Sequence, residues 1–212
     1  MGDKIIDIVK NRLPKPGLKI DRTRHRFVAA IRSELALTGL FTADTVAKRA
    51  KTSPATFYNH FSSKDVALAS AFEAAMDELL AMVNSGLQIE HLLQQGLTEF
   101  CAEWAQVCAE FFSSNATLLA VVQAEAPASE ELRRIFASRQ HESLVRYERF
   151  IELGQLAQVI RAGDINVMAK LLLINNQSWN HPFLRQVKPS DALYQEMTHM
   201  MVQLLAPKMT TQ

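Results

Sequence analysis

The residues best suited to binding chemistry lie between Thr42 and Phe61, where hydroxyl, amide, phenol and imidazole side chains are interleaved with aromatic residues. A short helix opened by Ser53 would leave small or polar side chains on its free side. These are Ser53, Pro54, Ala55, Tyr58, Asn59 and His60. Such side chains allow close approach to the major groove of DNA. The stretch therefore indicates nucleic-acid binding, with a packed core position as the alternative for Tyr58.

Two predicted helices position these residues. Thr42 is a suitable N-cap for a helix over 43–50, and Ser53 caps a helix over Pro54–His60 whose proline needs no hydrogen bond at the first position. Small residues, Ala47 and Ala50, permit a steep and close helix crossing. The predicted core combines Val46, Phe57 and Phe61 with Phe27, Ile31 and Leu35 of a preceding helix, which Asp21 could cap and which ends near Thr38. This pattern predicts a helix-turn-helix, although an all-helical enzyme could contain it by chance.

Charge is divided unevenly along the chain. Residues 1–64 hold 13 Lys and Arg against 5 Asp and Glu, whereas residues 65–212 hold 10 against 17. A basic head on an acidic body is typical of a protein that presents one end to phosphates. Residues 1–19 are basic and rich in proline, and they are either a solvated tail or an arm that touches DNA; their role stays open.

The remaining chain has helical periodicity and no strand-like alternation. Helices are predicted over 64–83, Ile89–Ser114, 116–123, 129–153, Ile165–Trp179 and 191–205. The predicted fold class is all-α: a three-helix head that contains the helix-turn-helix, and a helical bundle body, nine or ten helices in total, assembled as a homodimer. The predicted domains are 20–65 for DNA binding and 66–208 for ligand binding and dimerisation.

Several classes of protein are not favoured. No run of about 18 apolar residues predicts a membrane span, and the first residues lack the apolar core of a secretory signal. Cys101 and Cys108 would lie roughly 10 Å apart on one helix, too far for a disulfide, so reduced thiols and a cytoplasmic location are expected. No catalytic, cofactor or phosphate-loop motif occurs. The Glu196–His199 pair has metal-ligand spacing but lacks the further ligands such sites need. We expect no enzyme activity, no metal and no cofactor.

The helix-turn-helix stretch resembles a known signature. Ala55-Thr56-Phe57-Tyr58-Asn59-His60-Phe61-Ser62-Ser63-Lys64-Asp65, preceded by Thr45-Val46-Ala47 and Ala50, is similar to the DNA-binding motif of the tetracycline-repressor (TetR) family. The likeness is strong over 22–68 and only architectural beyond it. One departure matters: Lys51 stands at the turn position where the family usually has glycine. A left-handed backbone there would strain a lysine by roughly 1 kcal/mol.

The resemblance implies roles for individual residues in a DNA complex. Thr42 and Lys64 would hold phosphates at the two ends of the motif. Tyr58 and His60 would also contact the DNA backbone. The groove itself would be met by Ser53, Pro54, Ala55, Thr56 and Asn59. The partner would be a palindromic double-stranded operator.

The resemblance also implies a ligand site and a dimer in the body. Candidate ligand-lining residues are Trp104, Gln123, Tyr147, Asn176 and Trp179, although packing or exposure is the alternative for each. The dimer is expected through the last two helices, with Leu171, Leu172, Ile174, Met197, Met200, Met201 and Leu204 as the apolar surface. The predicted function is a ligand-responsive regulator, a repressor, released by an unidentified small-molecule effector. The alternative is an all-helical enzyme or small-molecule carrier whose head does not bind DNA.

Overall fold

The structure is a computed structural model that describes residues 19–184 and 187–207. Within these residues the chain is all-helical, with no strand, which confirms the predicted fold class. Ten α-helices, α1 to α10, follow in order: Lys19–Thr38, Ala43–Arg49, Pro54–His60, Lys64–Gly86, Ile89–Gln95, Leu97–Ser114, Ala116–Glu125, Glu130–Leu156, Ile165–Gln177 and Ala192–Leu205. A short 3₁₀ turn, Ser178–Asn180, follows α9. The basic residues 1–18 lie outside the described residues.

Backbone contacts divide the chain into two units. The first contains the described residues up to Met82 together with Thr117–Phe136, and the second contains Val83–Ala116 and the chain from Ala137 onward. Three helices, α4, α7 and α8, contribute residues to both units. The domain limits 20–65 and 66–208 stay predictions.

Helices α2 and α3 begin at the two predicted caps. Thr42 accepts a hydrogen bond from the Thr45 amide at 3.2 Å, while the Thr45 hydroxyl accepts one from the Thr42 amide at 3.1 Å. Ser53 caps α3 through the Thr56 amide, with Pro54 in the first turn. These bonds satisfy amides that have no partner inside their own helix. At the start of α4, Ser63 is the capping serine and accepts from the Val66 amide at 3.2 Å.

The turn between α2 and α3 contains the strain expected at Lys51. Its φ is +53°, in the left-handed region. The Lys51 amide donates to the Lys48 carbonyl at 3.1 Å and the Thr52 amide donates to the Ala47 carbonyl at 2.9 Å, which is the Schellman pattern. Lysine therefore takes the conformation that glycine adopts more easily.

Other helix limits differ from the prediction. The predicted helix Ile89–Ser114 is two helices, because Gly96 adopts φ +84° and ψ 164°, a conformation that ends α5 and lies outside the helical region. Helix α1 begins at Lys19, two residues before the predicted cap Asp21, and α4 continues to Gly86.

In the first unit, the buried core is the predicted one. Phe27, Ile31 and Leu35 of α1 are at most 1% exposed, as are Val46 of α2 and Phe57 of α3. Three of the aromatic rings meet edge-on or tilted: Phe27 to Phe57 at 5.6 Å, Phe57 to Phe61 at 5.2 Å and Phe27 to Phe61 at 6.0 Å between centroids. Aromatic packing of this kind holds three short helices together.

In the second unit, α6 is packed against α5, α9, α10 and the 3₁₀ turn. The α6 side chains Cys101, Trp104, Ala105 and Cys108 are buried. Both cysteines are free, and burial raises the pKa of the Cys101 thiol to about 12 and that of Cys108 further. They are core residues in their neutral form.

No single helix in the described ranges is long and apolar enough to cross a membrane; α6 and α7 reach the required length and composition only when taken together as a bent pair.

Replacing Lys51 with glycine is expected to raise the free energy of unfolding by about 1 kcal/mol, because the left-handed strain is relieved. The melting temperature should rise by about 2–4 °C at fixed protein concentration. The control Lys48→Gly makes the same chemical change at an exposed position inside α2 and should lower stability. Equal shifts for both variants would contradict the strain.

Candidate nucleic-acid interface

The seven residues of α3 are divided between a buried side and an exposed side. Phe57 is 1% exposed and Phe61, the next residue after the helix, is 0% exposed, whereas Tyr58 is 59% exposed. Asn59, Pro54 and Ala55 are also exposed. The Tyr58 ring makes an edge contact with the Phe57 ring, with the centroids 5.4 Å apart. The core alternative for Tyr58 therefore does not hold.

The hydroxyl groups at the start of α3 bond to each other. The oxygen atoms Ser53 Oγ and Thr56 Oγ1 are 2.9 Å apart, and Ser53 Oγ also accepts from the Thr56 amide at 3.2 Å. Ser53 is exposed and Thr56 is half-buried. The two groups thus have fixed positions, with Ser53 the more accessible to a partner.

Thr42 and Lys64, at the ends of the motif, are exposed. The Lys64 ammonium lies 5.2 Å from the centroid of the buried Phe41 ring, a cation–π arrangement. The aliphatic stem is thereby held near the head while the charge stays open to solvent. Thr42 keeps its side chain at the surface while it caps α2.

His60 is more confined than its neighbours. Its ring is half-buried and lies 5.5 Å from Phe27, edge to face. The contact fixes the ring against α1 and leaves part of it exposed at the end of α3. Its phosphate contact stays a prediction.

Arg24 of α1 supports the candidate interface, and the sequence pattern did not indicate it. Its guanidinium lies over the Phe61 ring at 4.9 Å, donates to the His60 carbonyl at 3.4 Å and donates to Ser70 Oγ at 2.6 Å. One side chain thereby bonds the end of α3 to α4. No signal in one sequence separates such an arginine from one that would bind phosphate.

Other arginines of the head are also bonded within the first unit. Arg49 pairs with the buried Glu34, and Arg32 makes a two-pronged pair with Glu78 at 2.5 and 2.8 Å. Arg26 donates to the Ala50 carbonyl. In the described part of the head, the exposed basic side chains with no hydrogen bond or ion pair to the protein are those of Arg22, Lys48, Lys51 and Lys64. Only part of the basic charge counted in the sequence is therefore available to phosphates.

Most of the head matches the model of a known protein family. Residues 29–70, which cover the second half of α1, all of α2 and α3 and the start of α4, match the family model "Bacterial regulatory proteins, tetR family". This part of the chain is therefore similar to the DNA-binding head of tetR-family regulatory proteins.

Solved structures show the same fold across nearly the whole chain. The TetR-family regulator from Haloarcula marismortui is 13% identical, with a TM-score of 0.72, and the match covers 87% of this chain and 96% of that one. Salmonella enterica GusR is 20% identical, with a TM-score of 0.68 and coverage of 92% and 99%. A TetR-family protein from Mesorhizobium loti is 13% identical, with a TM-score of 0.68 and coverage of 90% and 100%. No curated protein sequence matches the chain.

The candidate ligand residues fall into two groups. Trp104, Tyr147, Asn176 and Trp179 are at most 3% exposed and all belong to the second unit. Gln123 is exposed on α7 and belongs to the first unit. Asn176 Nδ2 donates to the Tyr147 hydroxyl at 2.9 Å, which joins α9 to α8. Among the described residues, no three His, Cys, Asp or Glu side chains are grouped to hold a metal ion.

Replacing Arg24 with methionine is expected to lower the free energy of unfolding by about 2 kcal/mol, because a charged donor to two acceptors is lost beside a buried ring. The matched control is Arg22→Met, which removes the same charge from an exposed position of α1 and should change stability by less than about 0.5 kcal/mol. Urea unfolding measures both. Equal losses would show that Arg24 does not stabilise the end of α3.

Proposed function

We propose that the chain is a homodimeric transcriptional repressor that binds a palindromic operator and leaves it when a small-molecule effector binds the body. The observation that carries the proposal is the division of α3 into a buried aromatic side and an exposed side with Ser53, Tyr58 and Asn59. A short helix whose polar side is free, on a scaffold with exposed lysines, suits insertion into a major groove.

Different residues would perform different tasks in the complex. Lys64 and Thr42 would hold phosphates, because an ammonium and a hydroxyl donate to phosphate oxygens without reading sequence. Tyr58 and His60 would contact the DNA backbone beside them. Asn59 would read a base edge, since an amide can both donate and accept in the groove. Ser53, Pro54, Ala55 and Thr56 would complete the groove surface.

Exposed apolar residues on α9 and α10 support a dimer. Val167, Leu171 and Ile174 recur at helical spacing on α9 and are 46–60% exposed, and Met200 of α10 is 58% exposed. Two of the residues expected there, Leu172 and Met201, are instead fully buried in the chain's own core. The remaining surface is one that a second copy would cover, and it would hold two heads for half-sites about 34 Å apart or somewhat more.

The contact at the end of α4 supports an effector response. Gly86 is the last residue of α4, and a Cβ built there would lie 2.2 Å from Cζ3 of Trp104. A ligand that shifts Trp104 would therefore press on the helix whose first turns pack with α3 through Arg24 and Ser70. Coupling of this kind is typically worth about 1–3 kcal/mol.

Capture of genomic DNA fragments by the full-length protein tests the proposal. The expected result is enrichment of a palindrome, lost steeply as salt rises because bound phosphates release counterions. A chain that captures no duplex at low salt would instead be the helical enzyme or carrier, whose body does the work.

The captured palindrome then tests the assigned residues. Lys64→Gln should weaken binding equally across sequences and reduce the salt slope by about 1, whereas Asn59→Ala should cost about 1–3 kcal/mol at one base position and relax preference there. Lys188→Gln removes the same charge from an exposed loop of the second unit and should leave affinity unchanged. A uniform loss for Asn59→Ala would contradict its role in reading the sequence.

A further inference from the structure

A cluster of polar side chains is buried in the second unit, at residues Trp104, Tyr147, Asn176 and Trp179. The four side chains come from α6, α8, α9 and the 3₁₀ turn, and each is at most 3% exposed. The hydrogen bond from Asn176 to Tyr147 lies inside the cluster. The Trp104 indole N–H lies close enough to the Tyr147 hydroxyl to lower the pKa of Tyr147. The two groups do not have the geometry of a hydrogen bond.

Three polar atoms of this cluster have no hydrogen-bond partner: Nε1 of Trp104, Nε1 of Trp179 and Oδ1 of Asn176. Two of them are donors and one is an acceptor. Because the Asn176 amide nitrogen already donates to Tyr147, its oxygen faces the other way and needs a donor. Polar atoms left unpaired in a protein interior destabilise the fold, and native chains keep few of them. A partner that both accepts and donates would satisfy all three atoms.

The two indole rings have little freedom to find other partners. Trp104 packs so closely on Gly86 that a Cβ there would lie 2.2 Å from its ring. The Trp179 ring lies 4.9 Å from that of Tyr194, at an angle of 50°. Both indole rings are thus packed against neighbouring groups in the interior.

The cluster offers no charge to an ionic partner. Burial is the largest cause that raises the pKa of Tyr147, followed by the neighbouring Cys108 thiol, and no Lys, Arg, Asp or Glu contributes. Burial also raises the pKa of Tyr194 to about 12, with smaller contributions from Cys108 and Glu110. Because burial raises the pKa of Cys108 as well, the thiol is neutral. An ion placed here would lose its hydration without gaining a counterion.

We propose that this cluster binds an uncharged, flat molecule with an amide-like group, whose carbonyl accepts from an indole N–H and whose N–H donates to Asn176 Oδ1. The aromatic side chains around these atoms suit an aromatic body for the ligand. The inference rests on the proposed function in so far as the molecule would be the effector. The binding site itself does not depend on the head.

Four probes of nearly equal shape test the ligand class: benzamide, benzoate, benzamidinium and toluene. The chain has two tryptophans, Trp104 and Trp179, so intrinsic fluorescence reports on the cluster directly. Benzamide should give a saturable fluorescence change and raise the melting temperature of the full-length protein. Benzoate and benzamidinium should bind at least 10-fold more weakly, since each buries an unpaired charge. Equal or tighter binding of either ion would overturn the proposal, as would the absence of saturable benzamide binding, which would leave water as the partner of these atoms.

Two variants separate recognition from packing. Trp104→Phe removes one indole N–H and keeps an aromatic ring beside Gly86, and Asn176→Leu removes the amide at similar size. Each should reduce the ratio of benzamide to toluene affinity at least 10-fold, a ratio that a loss of packing alone would not change. Asn166→Leu, at an exposed position of the same helix as Asn176, is the control and should leave the ratio unaltered. An unaltered ratio in both cluster variants would overturn the site.

The outcomes for the site and for the regulator are distinguishable because the probes are measured without DNA. Benzamide binding by a chain that captures no duplex would support the site and contradict the proposed repressor. Salt-sensitive capture of a palindrome by a chain that binds no amide probe would support the regulator and overturn the site.

Discussion

The head depends on one constraint: a seven-residue helix cannot hold its shape alone. Isolated helices of this length are unstable in water, because the free-energy cost of helix nucleation exceeds the gain from a few backbone hydrogen bonds. Phe57 and Phe61 compensate for this by burial against Phe27, and Ser53 supplies the cap. The exposed side contributes the Ser53 cap and the edge contact of Tyr58 with Phe57, while the buried aromatic residues hold the helix in place. Its residues can be selected for a partner while the buried side keeps the helix in place.

The basic charge of the head has two uses that composition does not separate. Arg24 and Arg49 bond within the head, where a flat guanidinium reaches two acceptors or a buried carboxylate. The exposed cations are largely lysines, whose compact charge on a flexible stem suits phosphates without fixed geometry. This division keeps α3 and α4 joined independently of DNA. It also makes the net charge of the segment an overestimate of its attraction for phosphates.

Sequence reasoning succeeded where a local rule decides the structure. The limits of α3, the caps Thr42 and Ser53 and the left-handed Lys51 each follow from neighbours within a few residues. The predictions from sequence were wrong where tertiary packing decides the structure. Gly96 is tolerable inside a helix, so the sequence does not show that the chain breaks there, whereas its backbone torsions do. The helical periodicity likewise predicted the apolar residues of α9 and α10. It did not indicate which of these residues are buried in the chain's own core.

The buried polar cluster differs from the head in how its residues affect the stability of the fold. The caps and aromatic contacts of the head stabilise the fold. Trp104 and Asn176 instead keep buried polar atoms that have no hydrogen-bond partner. Apolar residues of the same size would pack there without that penalty. Such atoms persist at a cost in stability when a partner forms hydrogen bonds with them. Local rules are most often broken at functional sites. Because Trp104 also touches Gly86 at the end of α4, completion of its hydrogen bond would act on a helix that packs with α3 at its other end.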